Sequence, residues 1–94
     1  MTIKKGVYRV PNGKTIRVCV EYQDDKLKTV VFTGDFFIEP GEAVDELGEY
    51  LSGVKTSSDE ITRKVEEFFR KKDIWLYGAK PIDFAKALIK TLKS

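Results

Sequence analysis

The chain has 94 residues, of which 41% are hydrophobic and 34% charged, and its net charge is +2. This balance predicts one folded domain over residues 1–94 and excludes a disordered chain. One cysteine and no histidine exclude an internal disulfide, a His-dependent triad and an ordinary zinc site. No apolar run is long enough for a membrane span or a secretory signal, so we expect a cytoplasmic protein with no membrane partner. Scarce Asn, Gln and Met beside abundant Lys and Glu are typical of a thermophile.

Strand patterns occupy the first third of the chain. Residues 7–10 form a short β-prone run, and the Asn12-Gly13 pair after them favours a tight turn. Apolar and polar residues alternate over 15–22, which indicates a half-buried strand. A tight connection then leads to a third strand over 27–33, so the second and third strands should form an antiparallel hairpin.

Helical signals follow. Pro40 fits the first position of a helix with apolar residues at 44, 47 and 51, and Gly53 ends that helix. Ser57 and Glu60 form a capping box for a second helix. Residues 74–77 are a brief strand or an extended connection, and Pro81 opens the last helix. The order predicts an α+β fold, in which a three-stranded antiparallel sheet is followed by about three helices packed on one face.

Two adjacent phenylalanines, Phe36 and Phe37, stand between the third strand and the first helix. Neighbouring side chains of an extended backbone point to opposite faces, so one ring should enter the core and the other should face outward. Gly34 allows a bend or a close approach just upstream. We expect Phe36 to point inward, which makes Phe37 a candidate contact for a second protein.

Other candidate residues have competing interpretations. Lys14 lies in a Gly-Lys-Thr sequence like the end of a phosphate-binding loop, but Tyr8 replaces the loop's first glycine and a strand follows. Lys14 is thus an ordinary hairpin lysine or a contact to a phosphate in a partner's site. Asp35 either braces the strand-to-helix turn or reaches a neighbouring active site. Trp75 and Tyr77 are half-buried core or interface anchors. Cys19 lacks an activating neighbour and should be chemically passive.

The lysines of the last helix are the one local excess of charge. Four of them, at 80, 86, 90 and 93, are opposed only by Asp83. This face is either simply solvated or turned toward an acidic partner or a nucleotide. Elsewhere the lysines are interleaved with acids, so we do not expect nucleic-acid binding, which usually needs a basic stripe.

Three short motifs, in this order, resemble the small C-terminal domain of lipoate–protein ligases. Thr-Gly-Asp-Phe-Phe-Ile-x-Pro at 33–40 is the most specific. Pro-Asn-Gly-Lys at 11–14 is similar to the family's Pro-Gly-Gly-Lys turn, and Gly-x-x-Pro-x-Asp-Phe at 78–84 matches a third motif. Lys80 departs from the helix-capping Ser or Thr that usually precedes Pro81. In some archaea this domain is a separate accessory subunit of similar length.

The resemblance implies an accessory subunit that forms a heterodimer with the catalytic subunit of the ligase. The ligase converts lipoate and ATP into lipoyl-adenylate and pyrophosphate, and then transfers the lipoyl group to a lysine of a lipoyl acceptor domain. The catalytic subunit would use ATP, Mg and lipoate, while this chain would bind none of them, would contact acceptor domains only indirectly and would be inactive alone. The residues we expect at the interface are Gly34, Asp35, Phe36, Phe37, Lys14 and Trp75.

The resemblance also implies a fold similar to that of iron–sulfur scaffold proteins. One cysteine and no histidine cannot hold a cluster in this chain. The alternative function is a non-catalytic protein-interaction module of the same fold with another partner.

Overall fold

A three-stranded antiparallel sheet, a two-stranded ribbon and three helices make up the computed structural model, which describes residues 1–94. The elements, in chain order, are β1 (Thr2–Arg9), β2 (Thr15–Gln23), β3 (Lys26–Gly34), β4 (Phe37–Glu39), α1 (Ala43–Leu51), α2 (Ser58–Lys71), β5 (Trp75–Tyr77) and α3 (Pro81–Lys93). The α+β fold, with helices on one face of a three-stranded sheet, confirms the prediction.

The sheet has the order β1-β2-β3, with both neighbouring pairs antiparallel. Its helix-facing side follows the predicted alternation, since Ile16, Val18 and Val20 of β2 are all buried. Val18 lies opposite Phe32 of β3, which is buried as well. β1 is longer than the predicted 7–10, because residues from Thr2 onward pair along the whole of β2. Cross-strand pairing there outweighs the weak β-propensity of the lysine-rich start.

The helices cover this one face. α3 packs on β1 and β2, α1 packs on β3, and α2 contacts both of the other helices. The hydroxyl of Ser57 accepts a hydrogen bond from the backbone N–H of Glu60, 3.5 Å away, as the capping box predicts. Before α3, where Lys80 offers no acceptor, the carboxylate of Asp83 accepts from the backbone N–H of Lys80 at 2.7 Å. No helix of the structure combines the length and apolarity that crossing a membrane requires.

Phe84 of α3 holds the aromatic part of the core together. Its buried ring meets Phe32 edge-to-face at 5.3 Å between centroids, Phe36 edge-to-face at 5.1 Å, and Phe69 at 5.7 Å. β3, the segment after it and α2 therefore all pack on this one side chain of α3. Such aromatic contacts stabilise the fold beyond the area they bury.

The prediction that Pro40 begins the first helix is wrong. Residues Phe37–Glu39 form β4, which pairs with β5. A turn then follows, in which the N–H of Ala43 donates to the carbonyl of Pro40 at 3.0 Å, and α1 starts at Ala43. The brief strand suspected at 74–77 is confirmed as β5, whereas its partner was not predicted.

Candidate functional site

The β4–β5 ribbon divides its side chains between the core and solvent. Phe37 lies opposite Tyr77, Ile38 opposite Leu76, and Glu39 opposite Trp75. Ile38 and Leu76 are half-buried, and Leu76 packs against the core. Because successive residues of a strand point to opposite faces, the residues on either side of this pair face outward.

Three aromatic side chains consequently share the outer face of the ribbon. Phe37 and Trp75 are each 60% exposed and Tyr77 is 56% exposed. The rings of Trp75 and Tyr77 are stacked, 6.1 Å apart and 10° from parallel, and Phe37 lies 6.2 Å from Tyr77. We call these three residues the aromatic ribbon. Clustered Trp, Tyr and Phe side chains on a rigid element are typical of protein interfaces.

Phe36 points away from this surface. Its ring packs edge-to-face on Phe84 with 84° between the ring planes, and it belongs to the layer of partly buried residues against the core. The prediction that Phe36 is inward and Phe37 outward is therefore confirmed. Phe36 thus anchors the backbone next to Phe37 on the core.

Gly34 allows the backbone path that turns Phe36 inward and Phe37 outward. Its φ is +155°, and a Cβ there would overlap the carbonyl oxygen of Thr15 and crowd the ring of Phe36. The residue pairs with Ile16 at the start of β2. Only glycine can approach the neighbouring strand this closely, and the approach sets the path into the aromatic ribbon.

Asp35 fastens the same segment to β2. Its carboxylate accepts a hydrogen bond from the backbone N–H of Thr15 at 2.7 Å. This N–H holds the pKa of Asp35 below its ordinary value, with smaller contributions from its own N–H and from the charges of Lys14 and Arg17. Asp35 was expected to brace the strand-to-helix turn. Its carboxylate instead bonds to the end of the β1–β2 hairpin, so that expectation is wrong about the hydrogen-bond partner.

Lys14 joins the hairpin to the end of β5. Its backbone N–H donates to the carbonyl of Gly78 at 2.8 Å. Gly78 has a φ of +91°, and the stem of Lys14 occupies the space that a side chain at Gly78 would fill. The lysine is therefore held beside Tyr77, the last residue of the ribbon.

All six sequence-derived candidates consequently lie at one end of the molecule, where β2 begins and β3 ends. Phe37 and Trp75 form the surface, and Phe36 packs on the core beneath it. Gly34 and Asp35 hold the backbone of the surface, and Lys14 lies at its edge. Tyr77, which the sequence leaves open as core or interface anchor like Trp75, was not among these six. The signal for it lies in the alternation over residues 75–77, which places Leu76 on one face and its two aromatic neighbours on the other.

The outer face of this surface consists mainly of apolar and aromatic side chains. No group of three or more His, Cys, Asp or Glu side chains is placed to hold a metal ion. Cys19 is partly exposed on β2 and lies opposite Lys5 of β1 and Val31 of β3, on the sheet face away from the helices. It is remote from the aromatic ribbon and has no histidine to activate it.

No protein-family model matches the sequence. The chain is 30% identical over 73 residues to the lipoate-protein ligase A subunit 2 of Thermoplasma acidophilum, with 78% of this chain and 74% of that protein covered. Its fold is similar to a solved chain from the archaeal lipoylation system of T. acidophilum, described as a bipartite lipoate protein ligase and its E2 lipoyl domain. That match has a TM-score of 0.80 at 24% identity and covers 93% of this chain and 94% of the other. The sequence match at this coverage confirms the resemblance that the three motifs indicate, and the chain belongs to the lipoate–protein ligase A subunit 2 family.

Proposed function

We propose that this chain is the accessory subunit of an ATP-dependent lipoate–protein ligase and works as a heterodimer with a separate catalytic subunit in the cytoplasm. The family membership supports the first part, and the bipartite ligase of similar fold supports the second. Lipoate, ATP and Mg are then bound by the catalytic subunit. The acceptor lipoyl domain meets this chain only through that subunit.

The aromatic ribbon is the surface we assign to the catalytic subunit. The observation that carries this assignment is the exposure of 60% for Phe37, 60% for Trp75 and 56% for Tyr77 on one rigid face. Exposure of three aromatic rings to water is unfavourable, because burying apolar area stabilises a protein by about 25 cal/mol for each Å². A partner that covers them recovers that free energy, and the braced backbone limits the entropy lost on docking.

The accessory chain acts in the activation step by completing and closing the catalytic subunit's site. Lipoyl-adenylate is a mixed anhydride that water hydrolyses, so a cover that excludes water protects it. The chain is suited to this role because it brings a braced surface and no nucleophile with an activating neighbour. The transfer step, in which the acceptor lysine must enter, needs less of that cover.

Separate assays of the two half-reactions test this function. The isolated chain should form no lipoyl-adenylate from lipoate and ATP, and the catalytic subunit should form it efficiently only when this chain is added. Transfer from supplied lipoyl-adenylate to the acceptor lysine should proceed at nearly the same rate with or without this chain. Equal adenylate formation in the presence and absence of the chain would refute the proposal. A folded chain that does not bind the catalytic subunit would favour the interaction module with another partner.

A further inference from the structure

A surface cleft of about 660 Å³ lies beside the aromatic ribbon, between the 11–14 turn and the beginning of α3. Three lysines line it, Lys14, Lys80 and Lys86. None of them forms an ion pair. The cations that do are Arg63, Lys64, Lys71 and Lys72. The cleft therefore gathers positive charge that the protein itself leaves without a partner.

The one acid in the lining cancels only part of this charge. Asp83 is only 5% exposed, and its carboxylate is engaged by the backbone N–H of Lys80 at 2.7 Å. Three lysines and one carboxylate leave a net charge of +2 in the lining. Asp35, outside the lining, accepts from the N–H of Thr15 and also feels the charge of Lys14, which contributes to its lowered pKa without forming an ion pair. Neighbouring lysines repel each other, so an anion between them lowers the energy of the whole group.

The three lysines line one cleft because the fold brings the segments that carry them together. The stem of Lys14 is held over Gly78. Lys80 directly precedes α3, and Lys86 lies one turn beyond Ile82 on the side of α3 that lines the cleft. The volume falls in the range of small-molecule sites, about 300–1,000 Å³. Lysine ammonium groups bind phosphate as point charges, so a compact, multiply charged phosphate fits this lining better than an extended polymer.

We propose that the cleft binds the terminal diphosphate of ATP, and then the released pyrophosphate, while the nucleotide is held by the catalytic subunit. This inference rests on the proposed function. In the activation step a carboxylate oxygen of lipoate attacks the α-phosphorus of ATP. The bond from that phosphorus to the bridging oxygen of the β-phosphate breaks, and its electron pair leaves with pyrophosphate. The lysines of the cleft stabilise the negative charge that grows on this leaving group.

This role explains why one half-reaction depends on the accessory chain more than the other. Pyrophosphate is formed in the activation step and takes no part in the transfer of the lipoyl group to lysine. The cleft adjoins Tyr77 of the aromatic ribbon. Docking through the ribbon would accordingly bring the lysines to the edge of the partner's nucleotide site.

The first test uses the isolated full chain and inorganic pyrophosphate, followed by NMR of the backbone amides. Shifts should concentrate at the 11–14 turn and at residues 78–86. Lys80→Gln and Lys86→Gln should each weaken pyrophosphate binding at least fivefold. Lys93→Gln, at the far end of the same helix, is the matched control and should bind like the wild type. Equal affinity in all three variants, or shifts spread over the surface, would overturn the proposal.

The second test uses the complex with the catalytic subunit. Lys80→Gln and Lys86→Gln should raise the KM for ATP and the inhibition constant of pyrophosphate about tenfold. Heterodimer affinity and transfer from supplied lipoyl-adenylate should not change. Weaker assembly with an unchanged KM for ATP at saturating subunit would mean that the lysines contact an acidic protein surface, which overturns the inference. Failure to form any heterodimer would refute the proposed function. The pyrophosphate titration of the isolated chain would then alone show whether the cleft binds pyrophosphate.

Discussion

Replacing Phe36 by alanine should destabilise the fold, because its ring packs edge-to-face on the buried ring of Phe84 at 5.1 Å. A fully buried Phe→Ala change costs about 3–5 kcal/mol, and because Phe36 is only partly buried its truncation should cost less, about 2–3 kcal/mol. Some 0.5–1.5 kcal/mol of this is the lost aromatic pair. A chain of this length has a total stability of about 5–14 kcal/mol, so the variant should fold with a Tm lowered by about 10–20 °C.

Replacing Phe37 by alanine should leave the stability of the fold nearly unchanged and weaken binding to the catalytic subunit. The side chain is 60% exposed, and its ring centroid lies 6.2 Å from that of Tyr77. Truncation should change the free energy of unfolding by no more than about 0.5 kcal/mol. If Phe37 anchors the partner, the loss of about 2 kcal/mol of binding free energy raises the Kd of the heterodimer about 30-fold.

Urea denaturation followed by circular dichroism measures the first quantity, and titration calorimetry with the catalytic subunit measures the second. Val31→Ala is a matched control, because this side chain is also apolar and 45% exposed but lies on the sheet face away from the helices. It should leave both quantities near wild type. A Phe37 variant as unstable as the Phe36 variant would refute the assigned orientations. A Phe37 variant that binds as well as the control would refute the aromatic ribbon as the contact.

Two further substitutions test the backbone beneath the ribbon. Gly34→Ala should cost about 1–3 kcal/mol through strain, while Gly41→Ala, where a Cβ meets nothing within 4 Å, should be neutral or slightly stabilising; equal unfolding midpoints would contradict this. Asp35→Asn keeps an acceptor for the N–H of Thr15 but cannot ionise. Because the pKa of Asp35 is lowered from 3.8 in the folded chain, its ionised form stabilises the fold above that pH, and this contribution disappears as the pH falls through the lowered pKa. The Tm difference between wild type and Asp35→Asn should therefore shrink below about pH 4, and a constant difference would contradict the assignment.

Local sequence patterns predicted the strands and helices correctly where one face of the element is buried. Alternation in β2 predicted that Ile16, Val18 and Val20 point inward, and all three are buried. The capping signal at Ser57 and the proline at 81 placed the starts of α2 and α3 correctly. These predictions succeed because a strand or helix with one apolar face has a single favourable orientation on a core.

Predictions failed where contacts join distant parts of the chain. β4 is three residues long and exists through its pairing with β5, about 38 residues further on. Its two β-prone residues are too short a run to indicate a strand without the partner, and the sequence therefore favours Pro40 as the helix start. The bond from Asp35 to Thr15 spans 20 residues, and its partner was missed for the same reason.

Composition, alternation and motif order were thus enough to define the α+β fold, the family and the absence of a histidine-based catalytic centre, because these depend on residue identity and short-range periodicity. The aromatic ribbon and the lysine cleft emerged from folding. β4 and β5 bring Phe37 to Trp75 and Tyr77, and Gly78 brings Lys14 to the start of α3. Both surfaces arise from backbone hydrogen bonds between segments far apart in the chain, whose partners are selected by the packing of the whole core.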